Sequence, residues 1–261
     1  MNLFSGQIKE LKEDNSMNFI NSLLFFGIPG LLMCLGIYYL IPVLTLHGIP
    51  RIVSWTACIL GPIVILFSIV LALFFRKSNR LTFKERFRFP KLTKKVWLIA
   101  LGAFIVVQLC ELVLSPTGAY LSQFRFFYLP EGIPDLFNPT FKIENGLSQL
   151  FGIPLKGNWW LVLFWLGWLT INIGCEEILW RGYALPLQEK FFGKYAWLIN
   201  GICWNILIHY FMRWNFIVLM PISLITPYLV QKYKNTWIGV IIHGTGNLLV
   251  FVILVPGILA K

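Results

Sequence analysis

The stretch WWLVLFWLGWLTINIGCEEILWRGYALPLQ, residues 159–188, decides the fold class of this chain. Its first 17 residues carry no charge, and about 20 apolar residues in a helix cross the roughly 30 Å hydrocarbon core of a bilayer. The run does not alternate with polar residues, which favours a helix over a strand of a membrane β-barrel. The stretch therefore predicts a transmembrane helix that continues through Glu176 and Glu177 to Pro186, where a proline would end it.

Apolar windows of similar length recur along the chain, in which 57% of the 261 residues are apolar, against roughly 45–50% in soluble domains. We predict an all-α fold, a polytopic bundle of about seven transmembrane helices. Residues 1–158 would form N-terminal membrane helices and an outer loop of unknown role, and residues 159–256 would form the core. The windows are 19–45, 55–75, 96–115, 159–188, 195–212, 214–230 and 236–256.

Basic residues are concentrated between the second and third windows. Nine of them lie in residues 76–95, where Glu85 is the single acidic residue. Because cytoplasmic loops of membrane proteins carry an excess of lysine and arginine, this loop and the N-terminus are predicted to be cytoplasmic. The formal net charge of +11 then reflects the topology of a multi-pass cell-membrane protein and not nucleic-acid binding. The nine residues are Arg76, Lys77, Arg80, Lys84, Arg86, Arg88, Lys91, Lys94 and Lys95.

Ionisable side chains inside a bilayer cost about 2.5 to 3.5 kcal/mol each at the centre of a helix, so a cluster of them is a candidate functional site. Glu176 and Glu177 point about 100° apart on a helix and cannot face the same partner. Glu177 and Arg181 share a face and are predicted to form an ion pair that supports the structure. Glu176 is left as the carboxylate available for chemistry. Glu111, with Gln108 nearby, is a further intramembrane carboxylate, and both a structural and a functional role stay open for it.

Polar residues also occur in two other windows. His209 lies in the fifth window and His243 in the seventh. Asn247 follows His243 by four residues and projects from the same helix face. Gly244 and Gly246 lie between them and would let a neighbouring helix approach closely. A single histidine or asparagine of this kind more often forms a polar contact between helices, but three helices that each offer such groups favour a site.

Residues 176–183, EEILWRGY, resemble the Glu-Glu-x-x-x-Arg-Gly-[Phe/Tyr] signature of the CAAX prenyl endopeptidases and their bacterial relatives, the CPBP or abortive-infection family. His209 stands where that family has the histidine of a Phe-x-x-x-His motif, with Asn205 in place of the phenylalanine. Residues 243–247, HGTGN, resemble its His-x-x-x-Asn/Asp motif. Three motifs in this order on apolar helices are typical of the family.

The resemblance implies an intramembrane endopeptidase with its protease core in residues 159–256. Glu176 would then act as general base on a water that is also held by His209. His243 and Asn247 would stabilise the oxyanion that forms when this water attacks the scissile carbonyl. No cofactor is needed for this route.

A zinc mechanism would use His209, His243 and Glu176 as ligands and another carboxylate as base. The chain has no His-Glu-x-x-His pair, the usual arrangement of zinc peptidases on a helix. We therefore favour the metal-free route and keep zinc as the alternative.

The expected partners are a hydrophobic or membrane-bound peptide substrate and the lipid bilayer, with no nucleic acid. Among bacterial relatives, such an activity would suit the processing of a peptide precursor or bacteriocin self-immunity. The alternative is a non-catalytic membrane immunity or scaffold protein that binds a peptide in the same cavity. The substitution Glu176→Gln separates the two, because an enzyme loses its function and a binding protein keeps much of it.

Overall fold

The computed structural model describes residues 16–76, 81–142, 144 and 146–260. Helices dominate these residues, and the strands in them form one short antiparallel hairpin of Gln149–Leu150 with Ile153–Pro154. The predicted all-α fold is thus confirmed. The main helices are α1 (Phe19–Leu46), α2 (Arg51–Arg76), α3 (Lys94–Leu114), α4 (Trp160–Glu177, Ile178–Ala184 and Leu185–Phe192), α5 (Ala196–Ile206), α6 (Met220–Tyr233), α7 (Trp237–Leu248) and α8 (Phe251–Leu259).

Five segments of the described residues are long and apolar enough to span a membrane, fewer than the seven predicted windows. The fourth and fifth windows join into one helical segment of 47 residues, Trp160–Ile206. The sixth window gives α6, whose 14 residues fall short of the roughly 20 that an upright span needs. The chain is a multi-pass membrane helix bundle, and its other candidate spans are Phe19–Leu46, Arg51–Arg76, Lys94–Leu121 and Trp237–Leu259.

Helix α4 changes its winding where its charged residues begin. The α-helix Trp160–Glu177 gives way to a π-helix, Ile178–Ala184, and an α-helix resumes over Leu185–Phe192. The prediction that this helix ends at Pro186 is wrong, because Pro186 lies in the first turn of the resumed α-helix, where a proline removes no needed N–H donor. A π-helical turn inside an α-helix is frequent at functional sites.

The fifth window is helical only to the end of α5, so the prediction of one helix over 195–212 is wrong beyond that point. The chain continues as an irregular segment of 3-10 turns, Ile208–Asn215, in which His209 has the non-helical angles φ −89° and ψ 17°. Asn205 stabilises this departure, because its side-chain amide donates to the carbonyl of Phe216 at 2.9 Å. A tertiary hydrogen bond thus takes the place of the next helical turn.

Arg213 joins the segment Ile208–Asn215 to the loop between α3 and α4. Its guanidinium lies over the rings of Tyr38 and Tyr128, at 4.7 and 4.9 Å from their centroids, and its Nε donates to the carbonyl of Phe126. The hydroxyl of Tyr38 donates to the carbonyl of Tyr128 at 3.0 Å. Helix α1, the loop and this segment therefore pack as one unit.

The basic loop between α2 and α3 packs against the bundle. Phe87 is fully buried, and Arg88 forms an ion pair with Glu189 of α4 at 2.6 Å. Lys77 and Arg80, two of the basic residues counted in this loop, lie outside the described residues. The cytoplasmic location of the loop stays a prediction.

Candidate active site

Trp204 of α5 lies at the centre of the candidate site. Its indole Nε1 donates to Oε2 of Glu176 at 2.7 Å. Its ring packs edge-on against both predicted histidines, with ring centroids 4.4 Å from His209 and 5.5 Å from His243. Edge-to-face packing is a favoured aromatic geometry. One buried tryptophan therefore brings together side chains from three separate windows of the sequence.

Glu176 of α4 is held by two tryptophans. Besides Trp204, Nε1 of Trp180 donates to the same oxygen, Oε2, at 3.1 Å. Trp180 is fully buried and stacks on Phe26 of α1 at a centroid distance of 4.6 Å, which fixes this donor. Both hydrogen bonds end on Oε2, and no donor among the described residues binds Oε1. The carboxylate is thus oriented through one oxygen, and the other is available to a water or a ligand.

Glu177 binds different partners from Glu176, as predicted, but its nearest partner was not foreseen. Its Oε1 lies 3.0 Å from Nδ1 of His243 and 3.5 Å from Nη1 of Arg181. The i,i+4 spacing indicated the arginine alone. The contact with α7 is possible at Gly239, one turn before His243, where a Cβ atom would collide with Oε2 of Glu177. Glu177 therefore joins α4 to α7 and orients the ring of His243.

The close helix approach predicted at Gly244 and Gly246 is wrong. A Cβ atom at Gly244 would lie 4.0 Å from Ile173, and one at Gly246 would lie 3.6 Å from Nε2 of Gln108, which are ordinary van der Waals distances. The glycine of α7 at which a side chain would not fit is Gly239, because the buried carboxylate of Glu177 occupies that space.

The guanidinium of Arg181 is fully buried, with Cζ 4.4 Å from the centre of the Trp204 ring. Apart from the ion pair with Glu177, its nitrogen atoms have no hydrogen-bond acceptor among the described residues. Oε2 of Glu177 likewise has no donor there. Because buried polar groups are nearly always hydrogen-bonded, these atoms mark a polar interior that buried water would satisfy.

His209 is held in one orientation by the backbone. Its Nδ1 lies 3.1 Å from the carbonyl oxygen of Trp204. A carbonyl only accepts, so Nδ1 carries the proton, and Nε2 of the neutral ring is then an acceptor. Helix α1 fixes the segment from another side, because Gly30 has no side chain and the backbone of Leu207 approaches it closely.

Asn247 lies one turn beyond His243 on α7 and is half-buried. Its Nδ2 donates to the carbonyl of His243 at 3.0 Å, so one amide proton is bound within its own helix. The structure therefore groups Glu176, His209 and His243 around one ring and places Asn247 on the helix face next to them.

Comparison with known proteins finds a family model that matches the part of the chain containing these residues. Residues 158–249 match the family model described as type II CAAX prenyl endopeptidase Rce1-like. The predicted family is confirmed. The chain is also similar to the UPF0177 protein YbdI of Lactococcus lactis subsp. lactis (strain IL1403), with 27% identity over 192 residues, 73% of this chain and 91% of that protein. No solved structure matches the chain. The Rce1-like segment, residues 158–249, covers α4 to α7 and contains every predicted site residue.

The Rce1-like segment does not present an assembled zinc site. Among the described residues, no three His, Cys, Asp or Glu side chains are grouped as metal ligands are. In His209 and His243, Nδ1 has a partner, the carbonyl of Trp204 in one case and Glu177 in the other, and Nε2 of each ring is the atom left for a water or a metal. The metal-free route stays a prediction, with zinc as its alternative.

Sequence reasoning missed the two tryptophans that hold Glu176 in the Rce1-like segment. Trp180 lies four residues after Glu176, so helical spacing could have indicated it. Trp204 carries no such signal, because its contact with Glu176 spans 28 residues of the chain. Only the packing of α5 against α4 produces that contact.

A cavity of about 520 Å³ opens away from this site, between α1 and α2. Its lining is mostly apolar and includes Phe25 and Pro62, together with Tyr183 of the Rce1-like segment and the polar residues Ser16 and Asn21. Glu176 does not line it. Such a surface suits hydrocarbon and offers no group for hydrolysis.

Proposed function

We propose that the protein is an intramembrane endopeptidase that hydrolyses a peptide bond of a hydrophobic or membrane-associated peptide. Glu176 activates the attacking water, and no metal takes part. The observation that carries this proposal is the grouping of Glu176, His209 and His243 around Trp204, within a segment that matches an endopeptidase family.

Glu176 and His209 together suit the activation of one water. Oε1 of Glu176 takes one proton of the water, while Nε2 of His209 accepts a hydrogen bond from the other. Trp204 contacts both residues, because its indole Nε1 donates to Glu176 and its backbone carbonyl accepts from Nδ1 of His209. The water oxygen attacks the scissile carbonyl carbon, and Glu176 then returns the proton to the departing amine.

His243 suits the stabilisation of the oxyanion. Glu177 accepts the hydrogen bond from Nδ1 and orients the ring, so Nε2 is the ring atom left for the substrate. In the doubly protonated ring, with Glu177 as its counter-charge, Nε2 would donate to the carbonyl oxygen as it becomes negative. Asn247 can add a second donor through the other proton of its side-chain amide. In this proposal Glu177 is a positioning residue that acts through His243.

The Glu177–Arg181 ion pair supports this site next to Trp204. Both side chains are fully buried, and the arginine covers one face of Trp204. The substrates that fit a site inside a bilayer are peptides already in the membrane. We propose the processing of a peptide precursor or self-immunity to a bacteriocin as the biological role.

A comparison of membrane peptides tests this function. Cells producing wild-type protein and cells producing Glu176→Gln at equal membrane levels are compared by mass spectrometry of their membrane-associated peptides. An endopeptidase yields peptides with new termini that are missing from the Glu176→Gln cells. Glu131→Gln is the matched control, because it removes the same charge from an exposed position. Identical peptide sets, with immunity retained in Glu176→Gln, would support the non-catalytic binding protein instead.

The metal-free route is tested with the purified protein. Treatment with a chelator should leave the rate of peptide cleavage unchanged. Loss of cleavage that zinc restores would replace the metal-free route by the zinc alternative.

A further inference from the structure

Glu111 of α3 is an intramembrane carboxylate that the proposed reaction does not use. From Val96 to Leu114 it is the single charged residue of its helix. Most of α3 faces outwards, as exposed Leu112 shows, whereas Val107 is fully buried. Glu111 follows Val107 by four residues, so it lies on the helix face that is turned to the bundle. Its side chain is partly exposed and can be reached by a ligand.

The neighbours of Glu111 place it beside the candidate active site. Its Oε2 accepts a hydrogen bond from Nε2 of Gln108 at 2.8 Å. The amide of Gln108 lies against Gly246 of α7, where a Cβ atom would be 3.6 Å from it. Gly246 lies within one turn of His243. The carboxylate thus lies on the face of α3 that packs against α7, close to the turn that contains His243.

No lysine or arginine of the described residues pairs with Glu111. His243 of α7 already pairs with Glu177. A carboxylate inside a membrane that lacks a lysine or arginine partner is by default a candidate functional site. Helix α3 also lies outside residues 158–249, so the family comparison gives Glu111 no role.

We propose that Glu111 is a specificity-determining residue that binds a lysine or arginine side chain of the peptide substrate, close to the bond that is cut. A cationic side chain of the substrate would form an ion pair with the Glu111 carboxylate. An acidic side chain at the same position would be repelled, and a neutral one would gain nothing from the carboxylate. The inference rests on the proposed peptidase function for the position of the cut, while cation binding can be measured separately.

Cleavage of matched peptides tests this inference. Hydrophobic peptides of membrane-spanning length are prepared in lipid vesicles, with Lys, Gln or Glu placed in turn at each position around the cleavage site. The wild-type protein should cleave the Lys peptide best at one position, by about tenfold or more over Gln, as expected for a hydrogen-bonded charge pair. Glu111→Gln should abolish this ratio, and Glu111→Lys should reverse it in favour of the Glu peptide.

The exposed Glu131→Gln variant is the matched control and should keep the wild-type Lys-to-Gln ratio. An unchanged ratio in Glu111→Gln would overturn the inference, including the case in which all peptides are cleaved more slowly by the same factor. If the wild-type protein cleaves no peptide, the proposed function fails. The cation site is then tested by binding alone. The affinities of fluorescent Lys and Gln peptides are measured for the Glu176→Gln variant and for the double variant Glu176→Gln, Glu111→Gln. Equal affinities for the two peptides would overturn it.

Discussion

Replacement of Trp204 by phenylalanine removes one hydrogen bond from Glu176 and keeps an aromatic ring in place. The lost donor lies 2.7 Å from Oε2, and hydrogen bonds to charged groups contribute about 1.5 to 3 kcal/mol. The smaller ring also loses packing, so the hydrogen bond must be isolated by a control. Trp165 supplies that control, because it is equally buried, at 1% exposure, and its Nε1 has no partner among the described residues.

Trp204→Phe should therefore lower the free energy of unfolding by about 1.5 to 3 kcal/mol more than Trp165→Phe does. The assay is unfolding by titration with a denaturing detergent, followed by intrinsic fluorescence. The cleavage rate should also fall by about 10- to 100-fold in Trp204→Phe, since a base displaced by about 1 Å can lose that much. Equal destabilisation of the two variants, with an unchanged cleavage rate, would refute the role of the indole in orienting Glu176.

Arg181→Ala should lower the free energy of unfolding by about 3 to 5 kcal/mol, because Glu177 stays buried without its arginine. The yield and melting temperature of the extracted protein measure this loss. Normal values together with lost activity would assign the arginine to catalysis. Gly239→Ala should lower the free energy of unfolding by about 1 to 3 kcal/mol in thermal unfolding, since the added methyl group collides with Glu177. Gly244→Ala is the control, because a Cβ atom there would have its nearest neighbour at 4.0 Å. Equal stability of the two variants would contradict the contact between Gly239 and Glu177. A cysteine at exposed Lys91 should react with an impermeant thiol reagent only in opened cells; labelling of intact cells would exclude the predicted topology.

The sequence predicted the features of this protein that depend on local composition and helical spacing. Residues 159–175 contain no charge and must avoid water, which indicated a membrane helix. The Glu177–Arg181 pair followed from a spacing of four residues. The motif order indicated His209 and His243 as partners of Glu176 because intramembrane polar groups avoid lipid by facing each other.

Features that depend on packing between helices could not be predicted in this way. His209 was expected on a regular helix, but Asn205 binds the carbonyl of Phe216, and the chain leaves the helix before His209. The Glu177–His243 contact depends on how α7 is placed along α4. Spacing within one helix contains no information on that placement.

The cleavage rate of purified Glu176→Gln in lipid vesicles shows whether Glu176 activates water for peptide hydrolysis. Glutamine keeps an oxygen that can accept from Trp180 and Trp204, so folding and melting temperature should match those of the wild-type protein. We predict that the cleavage rate falls by about 10²- to 10⁴-fold, the usual contribution of a general base. A folded Glu176→Gln protein that cleaves the same peptide bond at close to the wild-type rate would contradict the account.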